Sequence, residues 1–369
     1  MSYLQCQFIE KHLMSTERIY KTIHVIMKEK NKCKEENTMY HAAKDRYEKM
    51  TYRRVGESGL KLPLLSLGFW LNFGNEKPFE EIKEIVLTAF DNGITHFDLA
   101  NNYGRPSGSA ESNLGKILKE ELKPYRDQLI ISTKAGYGMW EGPYGDFGSR
   151  KYLMASIDQS LERLGLDYVD IFYHHRPDYD TPLEETMKAL ADIVMMGKAL
   201  YVGISSYPAD RAREAKKILA SYGVRLLIHQ PSFSMLNRWI QKEGLADAMV
   251  EEGVGIIPFS ILQQGLLTER YLNEIPEDSR MGSSATWWFK PSELTEEVKT
   301  KLLKLKALAD KRGQTLAQMA IAWTLAQKGI SSVLVGVSRL SQLESNLKAL
   351  ERLDFTDDEM AKIESILNG

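Results

Sequence analysis

From residue 34 to residue 369 the chain contains no cysteine, and the two it has, Cys6 and Cys33, lie close to the N-terminus. That absence excludes a catalytic thiol, a disulfide frame and a cysteine-based zinc site from almost all of the sequence. An excess of charge of one sign is lacking too: 48 Lys and Arg against 50 Asp and Glu leave a net charge of −2. Such a balance provides no broad basic field to gather nucleic acid or an anionic membrane. Long apolar runs are missing as well, so no helix is expected to span a bilayer. Glu10, Lys11, Glu17 and Arg18 deny the N-terminal stretch the apolar core of a secretory signal. These absences lead to the expectation of a cytoplasmic protein with no nucleic-acid and no membrane partner. HExxH and GxGxxG do not occur, and the glycine-rich run AGYGMWEGPYGDFG (135–148) has the wrong spacing for the latter. No metal site is expected, and a bound dinucleotide would not be held in the Rossmann manner.

What the chain does have is repetition. Apolar runs recur at LLSLGFW (64–70), THFDLA (95–100), LIISTKA (129–135), VDIFYHH (169–175), ALYVGISS (199–206), RLLIHQP (225–231), GIIPFS (255–260) and SVLVGV (332–337). Unbroken runs of this length suit strands buried on both faces, as in a parallel sheet. Charged, helix-periodic segments lie between them, among them 109–122 and 182–198, where Pro182 suits a first helical turn capped by Thr181. Eight strand–helix units predict an α/β fold, a closed (β/α)8 TIM barrel, with an open doubly wound sheet as the alternative. Residues 51–63, with Gly56 and Gly59, predict an N-terminal hairpin that caps the lower end, and 295–312 and 356–367 predict extra C-terminal helices. Residues 49–369 therefore read as one domain. Residues 1–48 read as an N-terminal extension, poorly ordered or helical.

In such a barrel the chemistry sits where strands end. Asp98 ends the second run and Tyr103 follows it; Lys134 ends the third; His175 ends the fourth; Ser205 and Ser206 end the fifth; Gln230 ends the sixth. Singly, each has an ordinary role as a cap, a solvated head or a packed core residue. Together they bring an acid, a phenol, a cation and an imidazole to one mouth.

In order, FDLANNYG, STKAG, DIFYHHRP, YVGISSY, IHQPSF and VLVGVSR resemble the aldo-keto reductases. The likeness is greatest to the branch that holds L-glyceraldehyde 3-phosphate reductases and potassium-channel β-subunits, and it runs from about Met39 to the C-terminus. KAGYGMWEGPYG, HQPSF and LNRW (236–239) are among its local markers. The resemblance implies hydride transfer from NADPH to a small aldehyde, of the L-glyceraldehyde 3-phosphate or methylglyoxal type. Tyr103 is then the proton donor, and Lys134 lowers the pKa of its phenol, ordinarily about 10. Asp98 holds Lys134, and His175 polarises the carbonyl. The family spacing D-x-x-x-x-H-x-P fits Asp170, His175 and Pro177, which leaves His174 to packing.

For NADP(H), the resemblance carries Ser205, Ser206 and Gln230 onto the carboxamide and Phe233 close to the ring, with Asp98 and Trp70 beside it. Trp70 also lines the substrate pocket with Tyr103 and His175. The 259–267 loop, with Phe259, Ser260, Leu262 and Gly265, would follow the pyrophosphate through its N–H groups, and Arg270 and Arg280 would close over it. Gly336, Ser338, Arg339, Gln342 and Asn346 would hold the adenosine end, with Ser338 and Arg339 meeting a 2′-phosphate. The loop departs from the family in having Ile261 and Gln263 where proline and alanine are usual, and Glu269–Arg270 for a glycine–lysine pair. A regulatory channel subunit that senses cofactor is the competing function; such subunits carry asparagine where this chain has His175. The resemblance also implies a homo-oligomer.

Overall fold

The computed structural model describes residues 40–272, 275–276, 282 and 291–369. The chain forms two units, Met1–His41 and Ala42–Gly369. Of the expected N-terminal extension, residues 1–39 lie outside the described residues and residues 44–48 form a turn, and the architecture below is that of the larger unit.

Strands β1 (Tyr52–Arg54) and β2 (Lys61–Pro63) form the expected antiparallel hairpin, with Tyr52 opposite Pro63. Eight parallel strands follow: β3 (Leu65–Gly68), β4 (His96–Asp98), β5 (Ile130–Ala135), β6 (Val169–His174), β7 (Ala199–Ser205), β8 (Leu226–Gln230), β9 (Gly255–Ile256) and β10 (Val333–Val335). Each lies within one of the eight apolar runs. The spatial order β10-β3-β4-β5-β6-β7-β8-β9 follows the chain, which a doubly wound sheet would not. The two ends of the sheet meet through a parallel bridge between Ile256 and Ile330, with Ser331 N–H donating to Ile256 O at 2.8 Å and Leu334 N–H to Pro258 O at 3.0 Å. The sheet is a closed barrel.

Burial explains why these segments are strands. All six residues of β6, VDIFYH, are buried, so both faces need apolar or hydrogen-bonded side chains. Gly203 on β7 serves the same packing, because a Cβ there would lie 2.3 Å from ring carbons of Tyr173. Helices α1 (Phe79–Asp91), α2 (Ser109–Ile117), α3 (Arg150–Leu164), α4 (Leu183–Met195) and α5 (Ala209–Ser221) return the chain after β3 to β7. Helix α4 begins one residue later than the sequence suggests: Pro182 takes the cap position, and Thr181 turns both its N–H and its side chain to Asp178 instead of capping the helix. The helices Glu296–Lys311 and Asp357–Asn368 are the expected additions, each started by a threonine whose hydroxyl accepts a backbone N–H.

The hairpin stoppers the barrel. Val55 and Leu62 pack in one cluster with Ile171, Tyr173, Leu227, Ile228, Ile257 and Leu334. The guanidinium of Arg53 ties the plug to the wall by donating to the carbonyls of Leu325 (2.9 Å) and Ile330 (2.7 Å).

Candidate active site

The strand register builds the polar centre. Asp98 on β4 lies opposite Ser132 on β5, and Lys134 follows two residues on, along the same side of the strand. The carboxylate therefore meets both side chains. Lys134 Nζ donates to Asp98 Oδ2 and to the carbonyl of Leu99, each at 2.6 Å. Asp98 Oδ1 accepts from Ser132 Oγ at 2.7 Å and from Gln230 Nε2 at 3.1 Å. Lys134 is fully buried and Asp98 nearly so. An ion pair this deep needs such further bonds to keep its charges: Ser132 and Gln230 on the carboxylate, the Leu99 carbonyl on the ammonium.

Tyr103 stands in the turn between β4 and α2. Its N–H donates to Ala100 O at 3.0 Å, and its carbonyl accepts from Gly108 and Ala110. His175 follows β6, its N–H bound to Ala135 O at 2.9 Å. The phenol oxygen and His175 Nε2 are 3.5 Å apart, and the Lys134 ammonium lies 5.1 Å from the Tyr103 ring centre. Tyr103 and His175 each keep part of their surface open. The four expected residues thus meet at one mouth.

The expected lowering of the phenol by Lys134 is not what the structure shows. Burial, then the Asp98 carboxylate and Tyr137, push Tyr103 well above its ordinary value. Burial lowers Lys134, against the pull of Asp98. Burial and the Lys134 charge hold His175 well below the usual histidine range, so its ring is neutral. His174 is a packed neighbour, its Nδ1 2.6 Å from the Tyr207 hydroxyl.

The residues expected around a cofactor are spread along the same rim. Ser205 ends β7, and Ser206 takes a left-handed backbone (φ 60°) with its N–H on Gln230 O. Trp70 stands 36% exposed past β3. Asn72 Nδ2 ties its loop to the Val337 carbonyl at 3.2 Å, and Lys77 Nζ reaches Ser338 O at 2.6 Å, so the loops after β3 and β10 are joined. Ser338 N–H and Oγ both reach Gln342 Oε1. Arg339 is exposed at the cap position of the Leu340–Leu347 helix, Gly336 is exposed, and Asn346 is buried. Phe233 is fully buried and stacked 5.5 Å from Trp323.

In the 259–267 loop, Ser260, Gln263 and Gln264 are all left-handed. The N–H groups of Gln263, Gly265, Leu266 and Leu267 donate to carbonyls of Ser260, Leu262 and Gln263 within the loop. Phe259 packs on the barrel cluster, and Gln263 accepts from Ser234 Oγ at 2.9 Å. Arg270 sits in the Glu269–Tyr271 turn, its N–H on Thr268 Oγ1. Arg280 lies outside the described residues.

Sequence reasoning missed three contributors. Ser132 holds Asp98, a contact that only the pairing of β4 with β5 reveals. Tyr137 stands edge-on to His175 with ring centres 4.6 Å apart. Arg176 lies 4.3 Å from the rings of both Tyr137 and Phe147 while binding both oxygens of Asp146. It pins the loop after β5 over the mouth.

The plugged barrel thus carries a lysine–carboxylate pair beside a phenol and a neutral imidazole, and the chain belongs to the Aldo/keto reductase family, whose pattern matches residues 64–368. It is an oxidoreductase. Among known proteins it is 56% identical over 322 residues to an Escherichia coli O157:H7 protein described as L-glyceraldehyde 3-phosphate reductase, covering 87% of this chain and 93% of the relative. The protein of the same description from Escherichia coli strain K12 is 55% identical over the same shares. An Arabidopsis thaliana protein described as "Probable voltage-gated potassium channel subunit beta" is 36% identical, covering 87% of this chain and 97% of that protein. Among the described residues no helix is long and apolar enough to cross a membrane.

Proposed function

We propose that the protein reduces small aldehydes, of the L-glyceraldehyde 3-phosphate or methylglyoxal type, to alcohols with NADPH. The observation that carries this is the buried Lys134–Asp98 pair set beneath Tyr103 and His175 at an open mouth. The relatives described as L-glyceraldehyde 3-phosphate reductases support the substrate class. The channel-subunit alternative draws on relatives of lower identity, and the full set of four groups favours turnover over sensing.

The residues present fit a dinucleotide phosphate. Ser205, Ser206 and Gln230 offer amide- and hydroxyl-binding groups at adjacent strand ends. The Leu340–Leu347 helix opens with no side-chain cap bond on its first N–H groups, and the exposed Arg339 guanidinium stands at that terminus. A helix N-terminus and a guanidinium together suit a phosphate.

When bound, the cofactor supplies hydride to the carbonyl carbon. The carbonyl oxygen then gains negative charge and needs a proton. A phenol keeps its proton at neutral pH, so Tyr103 is the acid at hand, and because burial raises it the release of that proton needs the help of a nearby cation. Neutral His175, 3.5 Å from the phenol oxygen, orients the carbonyl oxygen between the two groups. The Lys134 ammonium, held by Asp98, steadies the phenolate left behind. Tyr103→Phe tests the scheme. It should cut aldehyde reduction by roughly 10²- to 10⁴-fold, the range of general acid catalysis, while NADPH still binds. Near wild-type turnover by that variant would sink it.

A further inference from the structure

We propose that His96 is a positioning residue for this chemistry, holding the Asp98 carboxylate on Lys134 through the hydroxyl of Ser132. The inference rests on the reductase reading above. An unbroken polar chain crosses four neighbouring strand segments. Ser332 Oγ lies 2.7 Å from Ser66 Oγ, Ser66 Oγ 2.9 Å from His96 Nδ1, and His96 Nε2 3.0 Å from Ser132 Oγ. Ser132 Oγ then donates to Asp98 Oδ1 at 2.7 Å. Ser66, His96, Ser132 and Ser332 are all fully buried, where a misdirected proton has no water to turn to.

The direction of each bond follows by elimination. A carboxylate only accepts, so the single proton of Ser132 goes to Asp98. Ser132 Oγ must then accept from His96, which puts the imidazole proton on Nε2 and makes Nδ1 the acceptor of the Ser66 proton. Burial holds the ring neutral, down to about 4, so it does not compete with Lys134 for the carboxylate. Two bonds on Oδ1, from Ser132 and Gln230, leave Oδ2 turned to the lysine. Gln230 is itself a proposed contact of the cofactor. Ser132, backed by His96, is therefore the restraint on Asp98 that no ligand can draw away.

The test uses the full chain and two replacements of one residue. The amide nitrogen of glutamine reaches the place of an imidazole Nε2, and that of asparagine only the place of Nδ1. Both leave one serine unmatched, so both should lower the melting temperature to a similar extent. His96→Asn and Ser132→Ala are expected to slow single-turnover reduction about tenfold, the scale of one lost charge-assisted hydrogen bond, with NADPH affinity unchanged. His96→Gln recovers most of the rate. Ser332→Ala, at the far end of the chain, lowers stability alone.

The pH profile gives a second readout. Lys134 faces Asp98 and the Leu99 carbonyl, Glu111, the rings of Tyr103 and Tyr173, and the neutral His96 and His175. Since Asp98 is what raises the lysine, loosening it moves the alkaline limb of kcat to lower pH in His96→Asn and Ser132→Ala. Equal rates in the two His96 variants with an unmoved limb would overturn the proposal. Should the His96 variants fail to fold, a wild-type rate in Ser132→Ala overturns it alone. A wild-type protein that reduces no aldehyde overturns the reductase reading instead, which keeps the two failures apart.

Discussion

Replacing Lys134 by methionine removes one charge of a pair that no water reaches. At 2.6 Å and an effective dielectric constant of 20, the attraction between Lys134 and Asp98 is roughly 6 kcal/mol, an upper figure because burying both charges opposes it. Breaking one side of a buried pair typically costs about 3–5 kcal/mol. Asp98 keeps two donors, Ser132 and Gln230, so the lower end applies, about 3 kcal/mol. Unfolding the Ala42–Gly369 unit carries an entropy on the order of 0.7 kcal/mol/K, so the melting temperature should fall by about 4 °C. Adding Asp98→Asn removes the unpaired charge and should restore part of that loss. Turnover behaves differently: single-turnover hydride transfer drops by roughly 10²-fold or more in Lys134→Met and does not return in the double variant. Asp98→Asn alone is the milder lesion, because it only releases the lysine. Thermal melts and single-turnover rates on the same samples separate stability from chemistry. A Lys134→Met protein that melts with wild type, or regains its rate along with its stability in the double variant, would refute the reasoning.

Two further outcomes follow from the structure. Arg339→Ala should weaken NADPH about tenfold, one charge-assisted contact, and leave NADH nearly unchanged in fluorescence titrations; equal losses would remove Arg339 from the 2′-phosphate. Burial pushes His96 and His174 down to about 4 and His229 to about 3. Below an unfolded value of 6.5 the unfolded chain therefore binds more protons than the folded one. Stability should hold above about pH 6.5 and fall as pH drops toward 4, by about 2 kcal/mol for each histidine at pH 5. Urea midpoints at pH 7 and pH 5 measure this, and an unchanged midpoint would contradict it.

The barrel was legible because burial on both faces leaves unbroken apolar runs, and eight of them in one chain admit few arrangements. Asp98 and Lys134 stood out for the same reason: a charge at the end of such a run needs an explanation. His96 and Ser132 did not. In a strand buried on both sides they look like any other residue, and only the pairing of β4 with β5 shows that they touch; an unbroken run carries no alternation from which to read that register. The direction of the Tyr103 shift was misjudged because burial sets it first, with the Asp98 carboxylate and then Tyr137 pushing the same way, and burial is not legible from the order of residues in a loop. The left-handed Gln263 and Gln264 were equally hidden, since nothing but glycine advertises that conformation in sequence.

The hairpin plug has a consequence for the order of events. With Val55 and Leu62 filling the lower end and Arg53 fastening them, that end of the barrel is shut among the described residues. Whatever binds deepest must come in first and go out last. Under the proposed chemistry, Ser205, Ser206 and Gln230 would hold the nicotinamide at the ends of β7 and β8, at the same mouth that the aldehyde enters. Should the alcohol depart before the spent cofactor, a slow cofactor exchange would hold back every later cycle while leaving the first one fast.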